Sequence, residues 1–242
     1  MAAPRFFCPV PVHEHQILAL PSELAHYALR VLRLKDGAPI ILFDGSGGQF
    51  DAVLQVEGKA ANAIVGAHHP VEAELKGEIT LIQGLPSGDK MDWIIEKAVE
   101  LGAKRLIPVT AQRSVVQLSP ERRAKRLAHW QRIAQSASEQ CGRNRVLELS
   151  EPVSLEACLR GNPHLGTVLL CHPEADQNLF QALGGDSRIA LLIGPEGGWS
   201  PEEQKTALHH GARPLRFGDR VLRTETAGLA LIAAISALQG WV

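Results

Sequence analysis

The sequence predicts an α/β protein in two parts: a short, mainly β segment, then a larger region with a mostly parallel sheet covered by helices. Three observations predict it. The first seventy or so residues carry short alternating or apolar runs, "APIILF", "FDAVLQV" and "NAIVGA", separated by glycine-rich or polar turns. The pattern changes around "HHPVEAELKGE", after which strand-like apolar runs alternate with helical ones. Those later runs are near-continuously apolar, as parallel strands buried on both faces require. The boundary is placed to give a small domain over 1–72 and a larger one over 73–242.

Along the first part, "PSELAHYALRVLRL" reads as a short helix, with Ser22 as its cap and Leu24, Ala28 and Val31 or Leu32 as its apolar stripe. "FDGSGGQF" reads as a hairpin connection, because Asp-Gly and Gly-Gly supply the positive φ that such turns need. In the second part "EITLIQGL" is a strand and "KMDWIIEKAVELG" a helix, with Met91, Ile94, Ile95, Ala98 and Val99 on one face and Gly102 as its stop. "RLIPVT", a long helix around Ser119 to Ser138, "VSLEACLR", "TVLLCH", "ADQNLFQAL" and "RIALLIG" continue the alternation. After Gly198, Ser200 fits a cap, Pro201 the first helical position, Glu203 the reciprocal carboxylate of a capping box, and Gly211 the end. "PLRFG" is a further short strand, and "AGLALIAAISAL" a buried helix.

Composition narrows the function classes. With 45 % hydrophobic and 21 % charged residues, the chain reads as an ordinary globular protein. Cys8, Cys141, Cys158 and Cys171 form no paired spacing, so reduced thiols and a cytoplasmic setting are expected, with no cysteine metal site. The N-terminus lacks the apolar run of a signal peptide. The most apolar helix, Ala227 to Leu238, is 12 residues long, against the roughly 20 needed to span a bilayer. A formal charge of -1 does not announce a nucleic-acid partner, yet between Arg113 and Arg145 stand eight basic and two acidic residues. Such a patch suits either a phosphate backbone or a solvated helix face.

Ligands of open α/β sheets bind beyond the carboxyl ends of the strands. "GPEGG" after "ALLI" and "GDRVLR" after "PLRF" occupy such positions, and bare glycine backbone lets a ligand approach closely. Neither loop matches a dinucleotide or ATP-phosphate fingerprint, and no GxSxG or HExxH is present. The pairs His13/His15 and His68/His69 read as surface residues, as do Glu96 and Glu100, one helical turn apart, so no metal is expected.

Four ordered segments, "KMDWIIEKAVELGAKRLIPVTAQRSVV", "WQRIAQSASEQCGR", "LLIGPEGGWSPEE" and "FGDRVLRTETAGLALIAAISAL", closely resemble the RsmE family of ribosomal RNA small-subunit methyltransferases. "RFF" and "HYALRVLRLKDGAPIILFDGSGG" resemble that family's first domain, so the likeness covers almost the whole chain. The resemblance implies a small PUA-like β-barrel domain for RNA recognition and a SPOUT-type α/β domain with a C-terminal trefoil knot. It also implies a homodimer, S-adenosyl-L-methionine as methyl donor, and N3 of one uridine in 16S rRNA as acceptor; the assembled small ribosomal subunit is the expected form of that rRNA, with free rRNA left open. No membrane partner is expected.

Carried onto this chain, the family's cofactor pocket falls on Leu169 and Leu170, on Ile193, Gly194, Pro195, Glu196, Gly197 and Gly198, on Leu215, Phe217 and Gly218, and on Val221, Leu222, Thr224 and Ala227. Backbone groups near Gly194, Gly218 and Leu222 are expected to hold adenine, with Leu170, Ile193 and Leu222 against its faces. Arg223 is the leading catalytic candidate, to stabilise a uridine anion or hold a phosphate, with an ion pair to Glu225 as its bland alternative. Glu196 is a candidate base, ligand contact or loop brace. Phosphate contacts are expected from Arg5, Arg30, Arg33, Lys90, Arg113, Arg122, Arg123, Arg126 and Arg143. Phe6, Phe7 and Trp199 are candidates for base stacking, with core packing as the other reading for the two phenylalanines. Two rivals stand beside uridine-N3 methylation: a SPOUT enzyme acting on a ribose 2'-hydroxyl or another base, and a nonenzymatic RNA-binding assembly factor.

Overall fold

A computed structural model describes residues 3–58, 60–116 and 119–242. The chain divides into two compact units, one of residues 1–74 with 138–146 and one of 75–137 with 147–242.

The first unit holds a five-stranded sheet of β1 (Arg5–Phe7), β2 (Ile17–Ala19), β3 (Pro39–Phe43), β4 (Gln49–Glu57) and β5 (Ala60–His69), in the order β1-β3-β4-β5-β2. All pairs are antiparallel except β1 with β3. Strand alternation places Phe50, Ala52 and Leu54 in the core with Phe6, Ile40, Leu42, Ala63 and Val65, while Asp51 and Val53 face out. The β3–β4 connection is the expected hairpin: Gly47 adopts φ +113, and the Asp44 carboxylate accepts hydrogen bonds from Ser46 N at 3.0 Å and Ser46 Oγ at 2.6 Å. Helix α1 (Ser22–His26) runs on into a π-helical turn over Tyr27–Val31. Ser22 is its first residue and not its cap; Pro21 holds the cap position, and no side chain caps the helix.

Residues 138–146 belong to this unit although the chain reaches them from the other. The Glu139 carboxylate accepts from Phe7 N at 2.8 Å, and Arg5 Nη2 donates to Asn144 Oδ1 at 2.7 Å. Arg143 meets Glu74 through two hydrogen bonds, Nε to Oε1 at 2.9 Å and Nη2 to Oε2 at 2.6 Å. Burial pushes the Glu139 carboxyl upward, against the opposing effect of the Phe7 N–H and the Arg5 charge.

The second unit is a six-stranded parallel sheet in the order β11-β9-β10-β6-β7-β8. Its strands are β6 (Glu78–Gly84), β7 (Arg105–Val109), β8 (Glu148–Leu149), β9 (Thr167–Cys171), β10 (Arg188–Ile193) and β11 (Arg213–Leu215). Central strand β10 is apolar and buried from Ile189 through Ile193. The helices are α2 (Lys90–Glu100), α3 (Pro120–Cys141), α4 (Leu155–Gly161), α5 (Leu179–Ala182), α6 (Pro201–His209) and α7 (Thr224–Leu238). Helix α2 buries the five residues its periodicity selects, and α7 packs on α2, β6 and β10 through Leu231, Ile232 and Ile235. At α6 the Ser200–Glu203 capping box forms with Pro201 in the first turn. Glu203 Oε1 also accepts from Gln112 N at 2.9 Å, so one carboxylate both caps α6 and fixes the turn after β7. Because the strands are parallel, the segments following β6, β9, β10 and β11 leave the sheet at the same end. Among the described residues, no helix is long and apolar enough to cross a membrane, and no cluster of three or more acidic, histidine or cysteine side chains is placed to hold a metal ion.

Candidate active site

At that end of the sheet lies a cavity of about 680 Å³, within the roughly 300–1,000 Å³ typical of small-molecule sites. Its wall is formed by Cys171 to Glu174 after β9, Ile193 to Trp199 after β10, Arg216 to Arg223 after β11, and the first turn of α7. Lys90 at the start of α2 and Arg113 complete it.

The turn after β10 is packed backbone against backbone. A Cβ on Gly194 would lie 3.0 Å from Gly198 Cα and 3.1 Å from Trp199 N, and one on Gly84 would lie 2.5 Å from Pro195 Cδ. A side chain has no room at Gly84 and would push on the Gly198–Trp199 backbone at Gly194, so the turn packs this closely only with glycine; of the two, Gly194 lines the cavity. Gly198 N donates to Pro195 O at 2.8 Å, closing the turn. A buried polar thread ties it down: Gln83 Nε2 donates to Thr224 Oγ1 at 2.9 Å, and Thr224 Oγ1 donates to Gly194 O at 2.6 Å. The end of β6, the start of α7 and the turn are thereby held as one piece.

Glu196 projects from this turn into a nest of donors. Its carboxylate accepts from Lys90 Nζ at 2.7 Å, Ser87 Oγ at 2.7 Å and Ser87 N at 3.2 Å. Burial alone would raise its pKa, but the Lys90 and Ser87 hydrogen bonds outweigh burial and hold it at about 2. The same contact raises the pKa of the Lys90 ammonium, so both stay charged at neutral pH. Lys90 Nζ also lies 3.6 Å from Glu225 Oε2. Arg223 occupies the cap position before α7, is exposed, and makes no side-chain hydrogen bond or ion pair among the described residues. The alternative of an Arg223–Glu225 ion pair is therefore not what forms; Lys90 takes that place. Burial pushes the Cys171 thiol up to about 11, which favours the protonated thiol at neutral pH.

The structure brings together at the cavity Ile193 to Gly198, Phe217, Gly218, Val221, Leu222, Arg223, Thr224 and Ala227. Leu169, Leu170 and Leu215 do not line it. They are 0 to 2 % exposed within their strands, and Leu170 packs with Ile82 and Leu192; the wall begins one residue later, at Cys171. Of the residues expected on RNA phosphates, Lys90 and Arg113 sit instead at the cavity, where Arg113 Nη1 donates to Gly197 O at 3.1 Å. Arg143 does not fit a phosphate contact: it is 3 % exposed and its guanidinium is engaged by Glu74. Arg5 is half-buried and held by Gln49 and Asn144. Trp199 lines the cavity but is 3 % exposed and packs in the sheet core, and Phe6 is wholly buried, so neither is an exposed stacking platform. Gln83 and Ser87 were not anticipated, and Glu225 was expected only as a partner of Arg223; no sequence spacing connects position 83 or 87 with 196 or 224.

Comparison with known proteins agrees with this architecture. Residues 73–236 match the RNA methyltransferase domain family, and residues 20–65 the RNA methyltransferase PUA domain. The six-stranded parallel sheet is of SPOUT type. Ribosomal RNA small subunit methyltransferase E of Bacillus subtilis is 30 % identical over 93 % of this chain and 91 % of its own length. The corresponding Neisseria gonorrhoeae enzyme, solved with bound S-adenosyl methionine, superposes with a TM-score of 0.90 at 37 % identity, covering 98 % of both chains. A Legionella pneumophila protein in complex with the same cofactor gives a TM-score of 0.91 at 33 % identity, again covering 98 % of both chains. By these matches the chain belongs to the ribosomal RNA small subunit methyltransferase E family.

Proposed function

We propose that this protein transfers a methyl group from S-adenosylmethionine to N3 of a uridine in 16S rRNA of the small ribosomal subunit. The observation that carries the reading is one cavity lined both by the glycine-rich turn from Gly194 to Gly198 and by an exposed Arg223 that pairs with no carboxylate among the described residues. S-adenosylmethionine fits the wall's chemistry: peptide groups and apolar Ile193 and Leu222 suit an adenosine, and the carboxylates of Glu196 and Glu225 suit a cation. When bound, it supplies a methyl group activated on a positive sulfonium.

The residues of the chain then divide the work. Neutral N3–H carries no lone pair suited to attack, so the imide must ionise as the methyl is transferred. The Arg223 guanidinium favours that anion by charge and hydrogen bonding. Glu196, held at about 2, is a weak proton acceptor at neutral pH, and its contacts to Ser87 and Lys90 make it the brace of the cofactor turn. The basic residues Arg220 and Arg223 on the exposed 216–223 segment, with Arg122, Arg123 and Arg126 on α3, supply charge for RNA phosphates. The reading extends to RNA recognition by the first domain, a knotted C-terminal segment, a homodimer, and action in the cytoplasm on an assembled subunit.

The test is nucleotide-resolved methylation analysis after incubating protein and S-adenosylmethionine with unmodified 16S rRNA, free and within small subunits. Methyl at one uridine N3 supports the proposal. Methyl on a ribose 2'-hydroxyl or another base replaces the acceptor, and RNA binding without transfer replaces the enzyme by an assembly factor.

A further inference from the structure

The charges at the start of α7 do not balance. Glu196 and Glu225 share one ammonium, that of Lys90, at 2.7 and 3.6 Å. Lys90 makes its short contact with Glu196, whose remaining donors come from Ser87. Glu225 is left with less. Its side chain is 17 % exposed, and its Oε2 is sealed from solvent, with the Lys90 ammonium at 3.6 Å and no closer hydrogen bond among the described residues. Two carboxylates against one ammonium leave this cluster one negative charge in excess.

The wall as a whole carries five basic side chains, Lys90, Arg113, Arg216, Arg220 and Arg223, and four acidic ones, Glu174, Glu196, Asp219 and Glu225, so the excess is local to this cluster. Arg113 is exposed, and Arg216 is 3.9 Å from Asp219. Arg220 and Arg223 are exposed, so solvent and salt screen them. A half-enclosed excess charge is screened much less and acts strongly over a few ångströms.

We propose that Glu225 is a specificity-determining residue that distinguishes the charged methyl donor from its neutral product. The proposal rests on the methyl-transfer reading above. In that reaction the carbon–sulfur bond breaks with its electron pair left on sulfur, the N3 electron pair takes the methyl, and the N3 proton passes to solvent. The donor S-adenosylmethionine thus differs from the product S-adenosylhomocysteine by one methyl and one positive charge. The local excess negative charge of the Lys90, Glu196 and Glu225 cluster favours the first over the second. Glu225 therefore acts at both ends of the cycle, retaining the sulfonium before transfer and releasing the thioether afterwards.

Isothermal titration of the full chain with each compound, at fixed salt, reads the ratio of donor to product affinity. Glu225→Gln, nearly isosteric, should lower that ratio about tenfold, while Glu225→Asp keeps most of it. Lys90→Met, which makes the cluster more negative, should raise it. A Glu225→Gln protein that melts like the parent and keeps the ratio unchanged overturns the inference, even if both affinities fall. Should Glu225→Gln fail to fold, an unchanged ratio in Lys90→Met overturns it instead. A parent protein that binds neither compound overturns the methyl-transfer reading itself, and this inference with it.

Discussion

Lys90 Nζ and Glu196 Oε1 lie 2.7 Å apart, joining the first turn of α2 to the Gly194–Gly198 turn, with 106 positions between the two residues. Ser87 reinforces the junction from the same side, so Glu196 holds the turn and does not hang free in the cavity. Removing the carboxylate should loosen the turn and not the chemistry. Glu196→Gln is expected to weaken S-adenosylmethionine binding about tenfold while turnover at saturating cofactor changes little, measured by titration and by initial rates. A selective loss of turnover would return Glu196 to the role of proton acceptor.

The same contact sets a pH dependence. The carboxyl of Glu196 lies at about 2 in the folded protein, below its ordinary value of 4.5. A lowered folded value means that its contribution to stability is complete above the ordinary value and is lost as pH falls toward 2. Thermal melting between pH 4.5 and 2 should therefore drop more steeply for the parent than for Glu196→Gln. Parallel curves would show that the Lys90 and Ser87 contacts do not persist in solution.

Arg223→Ala should leave the melting temperature unchanged, because the guanidinium is exposed and makes no hydrogen bond or ion pair among the described residues. Its kcat should fall by about a hundredfold, the usual scale for one charge or donor acting on a developing anion, with cofactor affinity nearly intact. Loss of folding, or loss of cofactor binding equal to the loss of rate, would make it structural.

The basic stretch from 113 to 145 separates into different roles, and the separation gives a salt test. Arg122, Arg123 and Arg126 lie in the first turns of α3, whereas Arg143 is buried on Glu74. Replacing Arg123 and Arg126 together by Gln should weaken RNA binding and flatten its dependence on log salt by about 1 to 2. Arg143→Ala should instead destabilise the fold by about 3–5 kcal/mol through an uncompensated Glu74. An unchanged salt slope in the double variant would remove α3 from the RNA surface.

What could be read from the sequence is what short-range rules control. The Ser200–Glu203 cap, the apolar face of α2, the β3–β4 hairpin and the buried strand β10 each depend on neighbours within a turn or a pleat. The Gly194–Gly198 turn was legible for the same reason, and the family resemblance gave it a ligand. Contacts set by tertiary placement were not legible. Nothing local tells that Lys90 belongs with Glu196 and Glu225, or that residues 138–146 are held by Arg5, Phe7, Val71 and Glu74. A row of basic residues looks alike whether its members end in solvent, on a backbone carbonyl like Arg113, or against a buried carboxylate like Arg143. The assignment of Leu170 to the cavity missed by a single residue, and in a strand one residue turns a side chain from one face to the other.

Thr224 gives the sharpest test of whether the turn and α7 work as one piece. Its hydroxyl is both acceptor for Gln83 and donor to Gly194 O, and Gln83 is wholly buried with its Oε1 already without a partner among the described residues. Thr224→Val keeps the shape and removes both bonds. It strands one donor of the Gln83 amide and the Gly194 carbonyl, at a cost of about 1–3 kcal/mol for each buried group left unpaired. Thr224→Ser keeps the hydroxyl and should retain most of the stability. Cofactor affinity should follow the same order, parent above Ser above Val, because the Gly194 carbonyl is part of the turn that walls the cavity. A Val variant that melts lower yet binds the cofactor as the parent does would separate the thread from the site and leave the turn held by Lys90 and Ser87 alone.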